Sequence, residues 1–443
     1  MNSNREAERS HQEIAYLRTP AAIRERCDRL FRLGYANQLR YFRCDLTKLD
    51  SVASYVIEVM RDEYPDLNIP FHSRWRHFEV GNVPRLVELE QNLVGLTPLE
   101  KAKTKFDLAI ISVLLDAGAG ADWQYRERET GQVFRRSEGL AVASFRMFCQ
   151  GAFSSDPKRP LQADALGLQE LTTQKLALGF QVSETNPLLG VDGRLKLLQR
   201  LGQSLLSVPQ LFGAENPRPG NLVNYLLDCS YPSPSLVMES AAGWGIRSRG
   251  GIQGASKTKN QLPASTVLGA VLEGLGSIWP GRLAIAGVNL GDVWIHPALK
   301  GENPSDQYVP FHKLSGWLTY SLLEPLQELG VEITGLDEMT GLPEYRNGGL
   351  CVDLGLLEVK DSAILQQRHL PGSKVIVEWR ALTVSLLDRI AVAIRQQLNL
   401  SAAELPLVKV LQGGTWTAGR RIAAELREGG IPPIQIESDG TVF

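Results

Sequence analysis

Apolar residues recur along most of this chain at three- and four-residue spacing, the period of a helix with one buried face. From Pro20 the text AAIRERCDRLFRLGYANQLRYF puts Ile23, Cys27, Leu30 and Phe31 on one such face. LDSVASYVIEVMRD, from Leu49, repeats the pattern, with Asp50 or Ser51 as the expected N-cap. KAKTKFDLAIISVLLDAG places Phe106, Ile110, Val113 and Leu114 together, and LAVASFRMFCQGAF follows from Ser137. Further helices are predicted over Val267 to Leu275 and Leu382 to Leu398. A run of Leu314, Trp317, Leu318, Ser321, Leu322 and Pro325 predicts a helix that begins near Lys313 and stops at Gly330. Alternation supports only two strands, Val331 to Thr334 and Lys374 to Trp379. The expected fold is mainly α, a helical bundle with a small β element near the C-terminus.

At 443 residues the chain exceeds the usual length of one simple core. The expected division is an N-terminal helical lobe, 1–150, and a C-terminal lobe, 151–443, or one continuous domain. Residues 1–19 read as a loosely docked lead-in. Residues 229–263 are rich in Ser, Gly and Pro and are read as a lid, since long loops in compact proteins are usually functional or disordered.

Candidate chemistry concentrates in two stretches. The first is FHSRWRHFEVGN, where His72, Arg74, Trp75, Arg76, His77 and Glu79 fall within eight residues. Two guanidinium forks beside aromatic rings suit an anion or a flat ligand. The second runs from Val309 to Leu357. Its Lys313 helix is followed by Glu344-Tyr345-Arg346, then Asn347-Gly348-Gly349, read as a turn, then an apolar run holding Asp353. A third group brings Asp292, Trp294 and His296 together, and a helix would place Asp292 and His296, four apart, on one face. With His312 it offers a zinc-like set of donors, although a His–Asp hydrogen bond is the commoner outcome and no HExxH is present. No cofactor is favoured. LQGGTWTAGRRIAAELREGG predicts a glycine turn entering a helix with Arg420 and Arg421 in its first turns.

Bulk composition narrows the function classes. A net charge of −2 with 22% charged residues gives no basic excess for nucleic acid. No apolar run is long enough to span a membrane, and the opening MNSNREAERSHQEIAYLR is no signal peptide. The five scattered cysteines form no CxxC, which fits a reduced, cytoplasmic setting. Neither GxGxxG nor GxxxxGK[ST] occurs. A small molecule is the expected partner.

PFHSRWRHFEVG, GDVW, VPFHKLSGWLTYSLLEPL, TGLPEYRNGGLCVDLG, GGTWTAGR and the terminal DGTVF together resemble the uracil catabolism protein 4 family, over essentially the whole chain. Gly316 stands where that family usually carries Gln. The resemblance implies a role in pyrimidine degradation through a ribosylurea intermediate. More distantly, FHKLSGWLTYSLLEPL followed by LPEYRNGGLCVDLGLL resembles the queuosine 5′-phosphate N-glycosidase family, largely helical and related in architecture to helical DNA glycosylases. By position Lys313 matches that family's helix lysine, Glu344 replaces its aspartate, and Tyr345 and Arg346 are retained. Ser321 stands where that family has an acid, and Asn347-Gly348 replaces its Val-Pro. The likeness implies cleavage of an N-ribosidic bond, with Glu344 as base or charge stabiliser and Asp353 or Asp292 as the partner acid. Lys313, Arg346, Arg74 and Arg76 would hold a 5′-phosphate. Trp75, Trp317 and Tyr345, near His77 and His312, would wall the nucleoside-derived substrate.

Overall fold

The computed structural model describes residues 2–116, 118–120, 122–230 and 260–437. The architecture is mainly α, as the periodicity predicts. At its centre runs the 25-residue helix Lys374–Leu398, whose first six residues read as a strand in sequence. Val375, Ile376, Val377, Trp379 and Leu382 are buried around its circumference, so no polar face sets the period. A continuously apolar, β-branched run cannot be told from a strand by pattern alone. Pro20–Tyr35 and Leu49–Glu63 pack against this helix. Residues preceding Leu49–Glu63 form a short 3-10 turn capped by Asp45, so Lys48, not Asp50 or Ser51, takes the N-cap position.

One hydrophobic core extends from Ile23 to Ile434 and draws on nearly every helix. The N-terminal helix Asn2–Leu17 is docked rather than loose: Ile14 and Leu17 pack with Leu290 and Val293 in a small separate cluster. Among the described residues the strands form six two-stranded ladders spread along the chain, not one C-terminal element. Glu332–Thr334 is one of the expected strands and runs parallel to Gln261–Pro263. The lid expected over 229–263 otherwise lies, for 231–259, outside the described residues, as does the terminal DGTVF. No helix among the described residues is long and apolar enough to cross a membrane.

Two further differences shape the site. Val293–Ile295 is a strand, antiparallel to Tyr308–Pro310, so Asp292 and His296 do not share a helix face. Asn347-Gly348-Gly349 is not a turn but the middle of the helix Tyr345–Asp353. The glycines serve contact instead: a Cβ on Gly348 would stand 2.7 Å from the Trp379 ring. On the facing helix Trp416–Leu426, a Cβ on Gly419 would stand 2.2 Å from the Arg346 carbonyl oxygen. Such close helix–helix approach tolerates no side chain.

Candidate active site

Lys313 opens the helix Lys313–Glu328 directly after the Tyr308–Pro310 strand. The chain makes that corner at His312, which adopts φ 47°, a left-handed conformation uncommon outside glycine. Asp292 fixes the corner. Its Oδ2 accepts the Lys313 backbone N–H at 3.0 Å, while Arg380 grips both carboxylate oxygens at 2.8 Å and Trp294 donates its indole N–H at 2.7 Å. Burial would raise the Asp292 pKa, but Arg380 and these hydrogen bonds outweigh it and hold the carboxyl well below its ordinary range.

The Lys313 ammonium has no hydrogen bond or salt bridge of its own among the described residues. It lies 5.5 Å from the centre of the Trp317 ring, one helical turn on. Burial lowers its pKa, and the nearby carboxylates of Glu344 and Asp116 only partly offset that.

Glu344 is the N-cap of Tyr345–Asp353 and is 7% exposed. Its Oε2 accepts from the Arg346 backbone N–H at 2.8 Å and its Oε1 from that of Asn347 at 2.6 Å. Among the described residues no side-chain cation clamps it. Burial therefore dominates and raises its pKa, against the pull of those N–H groups, Lys313 and Arg346. Tyr345, the next residue, feels both Glu344 and Asp116, with Arg136 nearby, and its phenol pKa is raised by burial. Glu344, Asp116, Lys313 and Tyr345 thus act electrostatically on one another. Burial biases Glu344 toward its protonated form and Lys313 toward its neutral form, the kind of perturbation that suits proton transfer.

Arg74 supports one wall. It is fully buried, donating from Nε to Ser112 at 2.8 Å and from Nη1 to Asp116 at 2.7 Å. Ser137 donates to both Asp116 oxygens, at 2.6 and 2.8 Å. The short helix Arg74–Phe78 is tied to the lysine helix through Ser321: its Oγ accepts the Arg74 N–H at 2.9 Å and its carbonyl accepts the Trp75 indole at 2.7 Å. Ser321 is therefore a packing post.

Around Trp317 the rings interleave. His77 lies 5.5 Å from Trp317 and 5.8 Å from Trp416, and His72 lies 6.3 and 5.9 Å from the same two. His72 Nδ1 lies 3.0 Å from the Gln412 side-chain oxygen. Gln412 belongs to the π-helical turn Leu411–Thr415, which delivers Trp416 to the cluster. Single π turns of this kind occur often at functional sites. Burial lowers the His72 pKa to about 4 and that of His77 well below its usual value, helped by Arg74 and His72.

The remaining expected residues are placed elsewhere or otherwise engaged. Asp353 is gripped by Arg427 at 2.8 and 2.5 Å. Arg346 stacks on Tyr345 at 5.0 Å and donates to the Gly430 carbonyl at 2.7 Å. Trp75 and Arg76 line a separate groove with Glu90 and Lys105, and Arg76 pairs with Glu324 at 2.9 Å. The zinc-like donors are not gathered. His312 Nε2 is 3.0 Å from the Leu17 carbonyl, Asp292 is held by Arg380, and His296 faces Glu378 at 3.5 Å. Among the described residues no three His, Cys, Asp or Glu side chains form a metal-sized group. Arg420 pairs with Glu138 at 3.0 Å, and its helix continues directly from the π turn rather than starting at a glycine turn.

Three residues of the site escaped sequence reading. Asp116 ends the apolar helical text at LLDAG, where an acid reads as an ordinary stop. Gln412 and Trp416 lie in a segment read as a glycine turn. The lone polar residue closing a long apolar run was the one available signal for Asp116.

The family model described as protein of unknown function (DUF1688) matches residues 16–443. Uracil catabolism protein 4 of Lachancea kluyveri is 37% identical over 97% of this chain and 99% of its own length. Protein urg3 of Schizosaccharomyces pombe is 39% identical over 98% of this chain and 100% of its own.

Proposed function

This chain belongs to the DUF1688 family, and from that premise we propose that it acts in pyrimidine catabolism as a hydrolase of an N-ribosidic bond, with ribosylurea or its 5′-phosphate as substrate. The printed name of the Lachancea kluyveri relative supports the metabolic setting. The observation that carries the chemistry is that buried Glu344 and the Lys313 ammonium act on each other electrostatically while neither has a side-chain ion pair among the described residues.

In the proposed reaction the C1′–N bond breaks and its electron pair stays on the ureido nitrogen. Lys313 supplies the proton that makes urea a competent leaving group. Positive charge develops on the sugar, and Glu344 stabilises it. Water then adds through oxygen to C1′, and Glu344 takes its proton. Return of that proton to the Lys313 amine closes the cycle, so one water is consumed and urea and a pentose leave. Each Glu344 oxygen spends one lone pair on a backbone N–H and keeps another for the water. Asp353 and Asp292 are not the partner acid in this scheme, because Arg427 and Arg380 already occupy their oxygens.

Incubation of the purified protein with ribosylurea and, separately, its 5′-phosphate tests the reading. Equimolar urea and pentose are expected. Binding without release would identify a sensor of the intermediate, and loss of release on chelation would restore a metal-dependent scheme.

A further inference from the structure

We propose that the cavity at the start of the lysine helix holds a phosphate monoester, the 5′-phosphate of the substrate, with Arg18 and Arg282 beside it. The proposal rests on the hydrolase reading above and selects the phosphorylated form of ribosylurea.

Arg18, Arg282, Asn289, Asp292, Lys313 and Ser315 line one cavity, together with the ring of Trp279. Short contacts tie both arginines to its walls. Arg282 lies 5.0 Å from the centre of the Trp294 ring, Trp294 donates to Asp292 at 2.7 Å, and Asp292 accepts the Lys313 N–H at 3.0 Å. Arg18 Nη2 donates to the Asn289 carbonyl at 3.3 Å, and the Asn289 side chain donates to the Trp279 carbonyl at 2.9 Å. The cavity therefore reaches from two guanidinium groups to the residue that protonates the leaving group in the scheme above.

Its donors are under-used. Arg18 is half-buried and, beyond the contact with Asn289, makes no hydrogen bond or salt bridge among the described residues. The Lys313 ammonium is buried and also lacks an ion pair there. At the helix start Asp292 takes the Lys313 N–H, and the His312 carbonyl takes that of Gly316 at 2.8 Å. The N–H groups of Leu314 and Ser315, both lining residues, meet no acceptor among the described residues. A guanidinium fork, an ammonium and two backbone N–H groups around one space suit an anion with several oxygens.

The one carboxylate in the lining does not oppose this, because Arg380 already meets both Asp292 oxygens. The arginines that the sequence offered for a phosphate are engaged elsewhere: Arg74 with Asp116, Arg76 with Glu324 and Arg346 with the Gly430 carbonyl.

The test is calorimetric titration of ribose 5-phosphate and of ribose into wild type, Arg18→Gln and Arg282→Gln. Wild type should bind ribose 5-phosphate at least about tenfold more tightly than ribose, and each variant should lose about tenfold for the phosphate ester alone, the worth of roughly one charge-assisted hydrogen bond. A crystal soaked in ribose 5-phosphate should show the phosphate beside Arg18 and the Leu314 and Ser315 N–H groups. Equal affinity of wild type for the two sugars, ribose 5-phosphate binding unchanged in both variants, or a phosphate seated against Arg74 or Arg346 would each overturn the proposal. Should one variant fail to fold, the wild-type contrast and the other variant still decide. Arg18-dependent binding of ribose 5-phosphate without hydrolysis of ribosylurea 5′-phosphate would instead strike the hydrolase reading. Equal kcat/KM for ribosylurea and its 5′-phosphate would strike the phosphate site and leave that reading standing.

Discussion

Asp292 and Glu344 are both buried carboxylates near Lys313, and their surroundings push them in opposite directions. Asp292 receives a bidentate guanidinium, an indole N–H and a backbone N–H, so its charge is fully met. Among the described residues Glu344 receives two backbone N–H groups and no guanidinium. The first is fixed as an anion that holds a helix start in place. The second has its pKa raised by burial. Burial alone does not make an acid reactive; burial without a dedicated cation does.

The sharpest break of this contrast is Glu344→Gln. Loss of an acid/base group should cut sugar release by about 10²–10⁴-fold, read from initial rates on ribosylurea. A rate near wild type would remove Glu344 from the chemistry and leave it as a cap. Asp292→Ala addresses the other side. It removes the bidentate carboxylate from the buried Arg380, and breaking such a buried pair costs roughly 3–5 kcal/mol, measurable by denaturant unfolding. A normal unfolding midpoint would show that Arg380 is not held by Asp292.

Titration should separate the two acids by sign. The Asp292 pKa is lowered on folding, so it stabilises the protein above its ordinary value of 3.8, and that contribution fades as pH falls toward its folded pKa. The Glu344 pKa is raised on folding, so its contribution is most favourable below 4.5 and is lost as pH rises through its folded pKa. The activity profile follows from Glu344 and Lys313 together. Its acid limb should lie above the ordinary glutamate range, and its alkaline limb below the ordinary lysine value of 10.5. Limbs at unshifted values in the kcat/KM profile would contradict the buried arrangement. The smallest effect is expected at Asp353→Asn, whose partner Arg427 is 24% exposed on its side chain. Turnover should stay within about twofold and stability fall by about 1 kcal/mol, read by thermal melting.

The helical class was legible because apolar spacing over Ile23, Cys27, Leu30 and Phe31, or over Leu314, Trp317 and Leu318, directly records which face is buried. Lys313, Glu344 and Arg74 were legible as chemistry because charged groups embedded in apolar or aromatic text are costly to bury. The pattern misled at Lys374 to Trp379, where burial all round erases the period, and at Gly348, where helix contact rather than a turn demands the missing side chain.

What the sequence settled by itself was a mainly helical chain and the residue types available for acid, base and cation work, since both follow from local spacing and local polarity. Which acid is free was settled only by the fold. Asp292 meets Arg380 across 88 positions, Asp353 meets Arg427 across 74, and Asp116 meets Arg74 across 42. A carboxylate's proton affinity depends on the cations and dipoles within a few ångströms, and chain folding, not sequence neighbourhood, decides who those are.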